Sequence, residues 1–474
     1  MIHRDPQSTA CSRTVPESYS AACRNLRVRI KDRFIHPYTA GYWPQCLSVD
    51  RMNRSQLIEL QENRLRELMQ HAIRHVPFYR AWAQQAGHTP ENPPPLSAWP
   101  IATKDLFRAN LEAFQSEVFP LEEMSLAKTS GSSGEPFLLR VHRSATDYSY
   151  ACLWRALSRH GLRPGDRRVY VWGRSYLFNS GTAQIQNVRL RQKVRNWLNN
   201  TLAIDAYELT HRNVDKAIEA IEHFRPVYLH GYVSALYTIA RRMVETSRSF
   251  QNFKPLVAIT ESEKLYNFQQ ETMQNAFGCK ILQHYGSVEC GNIAQPDPEG
   301  HMRIAEDLYK LETLASGEVL VTNLLSLAYP FIRYRQGDIA EIADPSNHSL
   351  PYAIVTKIIG RTVDLIPVKA GGFVHGVALA HVIDPHLRFV RKYQVHQLSL
   401  DHFKVRLMAD NKMPESVPQQ IVTDLRRIVG MDTRVEVEHV DEILPAASGK
   451  FRWVISDVSG CRRTCTDDCC ATVK

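Results

Sequence analysis

Apolar residues recur at helical spacing between Ser55 and His75, at Leu57, Ile58, Leu60, Leu65, Leu68, Met69 and Ile73. That stripe predicts an amphipathic helix with one face for burial. The proline-rich run Pro90 to Pro100 breaks the period and reads as a loop or turn. Ser144 offers a cap for a helix through about His160, with Asp147 three residues on as a partner and Gly161 to stop it. Short apolar runs then alternate with amphipathic ones. Strands are expected at Arg168–Trp172, Val227–Leu229, Leu256–Ile259 and Lys280–Gln283, and helices at Asn213–Phe224, Val233–Val244 and Tyr266–Phe277. Such alternation predicts parallel sheets covered by helices.

Past Gly300 the period falls to two. Glu318–Asn323 and Asp338–Ala343 read as strands of a smaller β-rich layer. After Asp364 come strand patterns at Gln394–Leu400 and Lys404–Ala409, a helix at Pro418–Val429 and a strand at Arg434–Val440. These make an α+β unit of about a hundred residues, an ordinary domain size. The expected class is α/β: a large N-terminal domain of helix-covered sheets with a β-rich subdomain, plus a small, mobile α+β C-terminal domain. The expected boundaries are an N-terminal extension at 1–40, the large domain at 41–364, a small lid domain at 365–459 and a Cys-rich tail at 460–474. A chain of 474 residues is long enough for two cores.

Charge and cysteine usage narrow the picture. A net charge of +9 suits a nucleic-acid binder or an enzyme that handles phosphates. The basic residues are scattered, and the small cluster Arg189, Arg191, Lys193 and Arg195 reads as a solvated helix face, so nucleic acid is not an expected partner. No run of about eighteen apolar residues predicts a membrane span. Met1 to Arg24 lacks an apolar signal core; it reads as a disordered extension, with a targeting segment as the alternative. Cys11, Cys23, Cys46, Cys152, Cys279 and Cys290 are dispersed, which points to reduced thiols and a cytoplasmic setting. Cys461, Cys465, Cys469 and Cys470 crowd the tail without paired zinc-site spacing, and read as an oxidisable tail rather than a metal centre.

The candidate chemistry begins at Thr129-Ser130-Gly131-Ser132-Ser133-Gly134-Glu135-Pro136. Hydroxyls alternate with glycines whose backbone N–H groups can turn inward, so this loop can wrap a phosphate. It lacks the Gly-Lys-Ser/Thr of a Walker loop, and a plain Ser/Gly linker stays open as a reading. Downstream stand Tyr285-Gly286-Ser287-Val288-Glu289, Tyr334-Arg335-Gln336-Gly337-Asp338, Gly360-Arg361-Thr362-Val363-Asp364 and Ser448-Gly449-Lys450-Phe451-Arg452. In this order the segments resemble the adenylate-forming superfamily of acyl-CoA synthetases, luciferases and adenylation domains. Leu65, Arg66, Leu68, His71-Ala72, Val76-Pro77-Phe78-Tyr79-Arg80, Trp99-Pro100-Ile101 and Lys104-Asp105 sharpen the resemblance. So do His230-Gly231-Tyr232 and Tyr329-Pro330-Phe331-Ile332-Arg333-Tyr334-Arg335. They are similar to the phenylacetate–CoA ligase family, and especially to its capsular-polysaccharide-cluster branch.

The resemblance implies ATP and magnesium as cofactors, with attack of a carboxylate on the α-phosphate to give an acyl-adenylate. Thr129, Ser130, Gly131, Ser132, Ser133 and Gly134 then bind phosphates. The lysine that commonly closes this loop in the superfamily is absent, since position 137 is Phe, and Lys128 and Arg140 stand as unranked substitutes. Tyr285, with Gly286 and Ser287, is implied to stack on adenine, and Glu289 to hold magnesium, a hard ion suited to carboxylate. Asp338 is implied to accept from the ribose diol, Arg361 to reach ribose or phosphate, and Lys450 to bridge carboxylate and α-phosphate. Asp364 resembles the family's hinge. Coenzyme A is the leading acyl acceptor, with an amine or a carrier-protein thiol as alternatives, and a nucleotide-binding scaffold without turnover as the alternative of another class.

The acid itself is less legible. Trp172, Tyr176, Phe178, His230 and Tyr232 stand at or just after expected strands and suit an aromatic-lined slot for an aryl or arylacetic acid, or else ordinary core positions. Cys290 and His301 do not have the company a metal site needs.

Overall fold

The computed structural model describes residues 18–128, 138–173, 192–206, 209, 213–345, 350–361, 365–369, 373–375, 379, 382–386, 389–409, 413–444 and 451–458. Contacts divide the chain into a large unit, Met1–Gln336 with Ala340–Ile358, and a small one, Gly337–Ile339 with Ile359–Lys474.

The large unit starts with helices α1 (Tyr19–Ala22), α2 (Leu26–Ile35) and α3 (Thr39–Val49), in the stretch whose weak period suggested an extension. The pattern of α2 explains the weak signal. It buries Lys31 and Asp32 while Leu26, Ile30 and Phe34 face outward. Helix α4 (Arg54–His75) follows the apolar stripe, and its N-terminus is closed by a capping box between Asn53 and Gln56. Helix α5 (Pro77–Gln85) carries Pro at its first position. A two-residue strand, β1 (Ala102–Thr103), leads into α6 (Lys104–Ala109). The antiparallel strands β2 (Met124–Lys128) and β3 (Leu138–His142) flank the Ser/Gly loop.

Helix α7 (Arg143–Ser158) is capped by His142, whose ring accepts from the Ser144 N–H, and not by Ser144. Asp147 is not a capping partner either. It is buried and accepts from the Tyr38 N–H at 2.9 Å, with His36 Nδ1 2.8 Å away, which ties α7 to the N-terminal helices.

The strand–helix rhythm then follows, with one strand, β5, that the sequence pattern did not mark: β4 (Arg168–Trp172), β5 (Thr201–Asp205), α8 (Val214–Phe224), β6 (Tyr228–Tyr232), α9 (Val233–Glu245), β7 (Val257–Glu261), α10 (Asn267–Phe277) and β8 (Lys280–Gln283). The strands form one parallel sheet in the order β5-β4-β6-β7-β8. Strand β6 runs through Gly231 to Tyr232, past the expected end at Leu229. Only glycine fits there, because a Cβ would lie 2.5 Å from the Val171 carbonyl oxygen.

Next come β9 (Tyr285–Ser287), β10 (Gly291–Pro296), β11 (Met302–Ile304), β12 (Tyr309–Thr313), β13 (Glu318–Asn323), β14 (Tyr334–Ala343) and β15 (Ile354–Arg361). They form the β-rich layer in the order β12-β13-β14-β15-β11-β10-β9, with β1 parallel to β14. Strand β14 begins at Tyr334, before the expected Asp338, because Gly337 takes φ 84° within it instead of ending it.

The small unit holds a hairpin of β16 (Leu365–Pro367) and β17 (Phe373–His375), then β18 (Val390–Ser399), β19 (His402–Ala409), α11 (Ser416–Val429), β20 (Arg434–His439) and β21 (Val454–Ser456). Its sheet runs β20-β19-β18-β21. Val395, Phe403, Val405 and Leu407 of the sheet, and Val417, Ile421 and Leu425 of α11, are buried.

Candidate active site

The Tyr285–Glu289 segment folds into the β9–β10 hairpin directly after the parallel sheet ends. Gly286 sits where a Cβ would collide with the Gly291 carbonyl, which fixes glycine at that point. Tyr285 is buried, and its hydroxyl accepts from Gln336 Nε2 at 2.7 Å. Ser287 Oγ accepts from the Cys290 N–H at 3.1 Å and so closes the turn that carries Glu289.

Two distant segments meet at the Glu289 carboxylate. Tyr334 donates its hydroxyl to Oε1 at 3.4 Å, and Lys104 Nζ lies 3.4 Å from the same oxygen. The β1–β14 pairing sets Ala102 opposite Tyr334 and so delivers both groups together. Thr103 caps α6 by accepting from the Leu106 N–H, which orients the turn that bears Lys104. Both contacts converge on Oε1. Among the described residues both contacts thus go to one carboxylate oxygen, and a carboxylate of this kind fits a hard cation that phosphate oxygens would also ligate. Lys104, Tyr334 and Gln336 received no chemical role from the sequence. All three do fall within the strings that carried the family resemblance, the only signal that marked them.

Beside this hairpin, along one face of the parallel sheet, lies a cavity of about 360 Å³. Helices α2 and α7 and the stretch 192–199 supply its outer wall. Tyr170, Trp172, His230 and Ile259 line the sheet side, and His284, the residue before Tyr285, also lines it. Strand register explains the grouping, since Tyr170 pairs with His230 and His230 with Ile259. The Tyr170 and Trp172 rings are parallel, 5.2 Å apart. His230 Nε2 lies 3.3 Å from Glu261 Oε2. Burial opposes a charge on Glu261, but His230 beside it holds the carboxyl below the usual range. Burial pushes His284 the other way, down to about 3, so its imidazole is neutral.

The structure thus brings Trp172 and His230 together and leaves Tyr232 out. The Tyr232 ring packs tilted against Trp172, centroids 4.1 Å apart, but is buried in the second core with Val233 and Leu236. Asp338 is buried in β14, and its contacts group it with the small unit. Arg361 is the last residue of β15. Cys290 is buried; its carbonyl accepts from the Tyr309 hydroxyl. His301 pairs with Asp297 at 3.1 Å. Arg195 and Lys193 are exposed, as expected of a solvated face, and Arg195 also borders the cavity. Thr129–Gly134, Tyr176, Phe178, Arg189, Arg191, Asp364, Lys450 and the tail cysteines lie outside the described residues. Among the described residues, no helix is long and apolar enough to cross a membrane.

Residues 366–457 match the CapK C-terminal domain. Protein CapK of Staphylococcus aureus is 24% identical over 451 residues, which cover 92% of this chain and 97% of that protein. Phenylacetate-coenzyme A ligase of Aromatoleum evansii is 21% identical over 438 residues, 86% of this chain and 96% of the ligase. Among solved structures, 2-hydroxyisobutyryl-CoA ligase in the postadenylation state, in complex with 2-HIB-AMP, superposes with a TM-score of 0.66 at 17% identity, covering 83% of this chain and 88% of that one. The chain has the fold of the adenylate-forming CoA ligases, and along nearly its whole length its sequence is similar to CapK and the phenylacetate–CoA ligases.

Proposed function

We propose that this protein activates a small carboxylic acid with ATP, forming an acyl-adenylate and pyrophosphate, and passes the acyl group to coenzyme A. The observation that carries this reading is the anchored Tyr285–Glu289 hairpin beside an aromatic-lined cavity along one face of the parallel sheet. The acid lies in the cavity against Trp172 and His230, and its carboxylate points toward the hairpin. Glu289 holds a magnesium ion, whose charge offsets that of the phosphates. Lys104 and Tyr334 fix the Glu289 carboxylate, so that no reorganisation is needed when the nucleotide arrives. Tyr285, anchored through its hydroxyl, offers its ring to adenine, while Asp338 accepts from ribose and Arg361 reaches ribose or phosphate. Thr129–Gly134 cradle the outgoing pyrophosphate, and Lys450 bridges the carboxylate and α-phosphate. Asp364 serves as the hinge of the small unit.

The test is pyrophosphate exchange with ATP, magnesium and a panel of acids, with and without coenzyme A. Exchange that needs only an acid, with thioester forming once coenzyme A is added, supports the reading. Absence of exchange with every acid sinks it, and exchange followed by amide formation with an amine in place of thioester moves the acceptor to the amine.

A further inference from the structure

Most of the large apolar side chains of helix α2 point away from the core. Leu26, Ile30 and Phe34 stand four residues apart and so share one face, yet each is more than half exposed. The buried side of the helix holds Val28 and the pair Lys31–Asp32, whose charges lie 2.6 Å apart. At the helical period, Arg29 and Arg33 border the apolar stripe on one side and Arg27 borders it on the other.

The stripe continues onto a neighbouring element. Lys31 Nζ donates to Asn199 at 2.5 Å, and Arg27 Cζ lies 4.3 Å from the centre of the Trp197 ring, so α2 is fastened to the stretch 192–199. Trp197 and Val194, three residues apart in helical conformation, are 59% and 49% exposed. The turn 163–167 abuts both pieces: the Arg24 N–H donates to the Pro164 carbonyl, and Asn200 Nδ2 donates to that of Gly165. Across residues 24–35, 163–167 and 192–199, the exposed charges are Arg24, Arg29, Arg33, Arg167, Lys193 and Arg195. The acids in these segments, Asp32 and Asp166, are buried, the first against Lys31 and the second against Arg24. Every exposed charge on this face is positive.

We infer that this face docks on an anionic lipid bilayer, with Leu26, Ile30, Phe34 and Trp197 set into the interface and the cations meeting lipid phosphates. An apolar stripe edged by basic residues is the pattern of helices that lie in the plane of a membrane surface. Arginine stems follow apolar surface while their heads reach phosphate, and indole favours the membrane–water boundary. A second copy of the chain suits the face poorly, because a two-fold contact sets one cationic rim against another. A protein partner's anchors want pockets, whereas these side chains stand out from the surface. The docking does not depend on the chemistry of the cavity.

The test is sedimentation of the full chain with vesicles of phosphatidylcholine alone and of phosphatidylcholine mixed with phosphatidylglycerol. Binding to the anionic vesicles is expected to be about tenfold or more tighter, and to weaken as salt is raised. The double variants Ile30→Ser, Phe34→Ser and Arg29→Glu, Arg33→Glu are each expected to lower it about tenfold or more. Leu444→Ser, at a comparably exposed apolar residue of the small unit, is expected to leave it unchanged. All of these side chains are exposed, so urea midpoints stay with the parent, which separates lost docking from lost folding. Binding that is absent, equal on the two lipids, or retained in either double variant overturns the inference. An equal loss in Leu444→Ser overturns it too, as general adhesion. So does a dimer in light scattering that Ile30→Ser, Phe34→Ser dissolves, because a second copy then covers the face.

Discussion

At the scale of single residues, His284 is governed by burial and Glu289 by the groups that contact its carboxylate. His284 is held neutral by desolvation, with Glu261 nearby favouring its proton and His230 and His160 opposing it. Its folded-state pKa of about 3 lies below the ordinary imidazole value, so the unfolded chain binds this proton first. Its stability contribution is whole above about pH 6.5 and falls as the pH drops toward 3, with a slope of at most about 1.4 kcal/mol per pH unit. His284→Asn is therefore expected to lose less stability than the parent between pH 6.5 and 4, measured as urea midpoints across that range. An identical pH profile in the two proteins would mean that the imidazole is not held neutral. Glu289 instead is held at Oε1 by Lys104 and Tyr334. Glu289→Gln removes the carboxylate charge with little change in volume. On the proposed reading it raises the magnesium needed for half-maximal pyrophosphate exchange by about ten- to a hundredfold, which corresponds to roughly 1.5–3 kcal/mol. An unchanged magnesium requirement would return Glu289 to the role of a turn acid.

At the scale of elements, the large unit is pinned around a buried ion pair. Arg155 of α7 donates to both oxygens of Asp307, at 2.8 and 3.0 Å, and to the Cys46 carbonyl of α3. Tyr148 also donates to Asp307, and Arg64 of α4 donates to its backbone carbonyl. Burial opposes the charge on Asp307, but Arg155 prevails and holds the carboxyl well below its usual range. Asp307→Ala strands the guanidinium and is expected to cost about 3–5 kcal/mol, read from the urea midpoint, while an Asp307→Leu, Arg155→Met double variant costs less than the single change. A double variant as unstable as the sum of the two single ones would show that the pair is not coupled. None of this network was legible in the sequence, because its members are scattered from Cys46 to Asp307 and no local period marks them. Four of the five strands of the parallel sheet were legible as short runs next to amphipathic helices, whereas the edge strand β5 was not. Helix α2 was not, because its lysine and aspartate point inward. The hairpin residues Tyr285 and Glu289 stood out by motif, whereas Lys104 and Gln336 reach them only through strand pairing and tertiary contact. Likewise the order of β4 and β6 placed Trp172 and His230 on one cavity, while Tyr232, two residues beyond His230, went to the core beside Trp172.

At the scale of the whole molecule, contacts separate Gly337–Ile339 and the residues from Ile359 onward into a unit with its own sheet, helix and buried core. Its last strand, β21, pairs with β18, and the Asp457 N–H donates to the Gln397 carbonyl, so every described element is complete by Val458. A fragment of residues 359–458 has roughly the hundred residues of an ordinary domain and is expected to fold alone. Trp453 is the only tryptophan in that span, and it packs against Tyr393 at 4.6 Å and Phe451 at 4.8 Å. Its fluorescence therefore reports this unit without interference. The fragment is expected to show one cooperative urea transition with a slope of about 1–2 kcal/mol per molar, and a blue-shifted Trp453 emission that moves red on unfolding. Ending the full chain at Ser459 is expected to leave that transition where it stands, because the cysteines beyond it follow the last described strand. A fragment whose emission drifts without a transition would show that the small sheet depends on the rest of the chain, and a truncated chain with a lowered midpoint would show that the tail packs on β21.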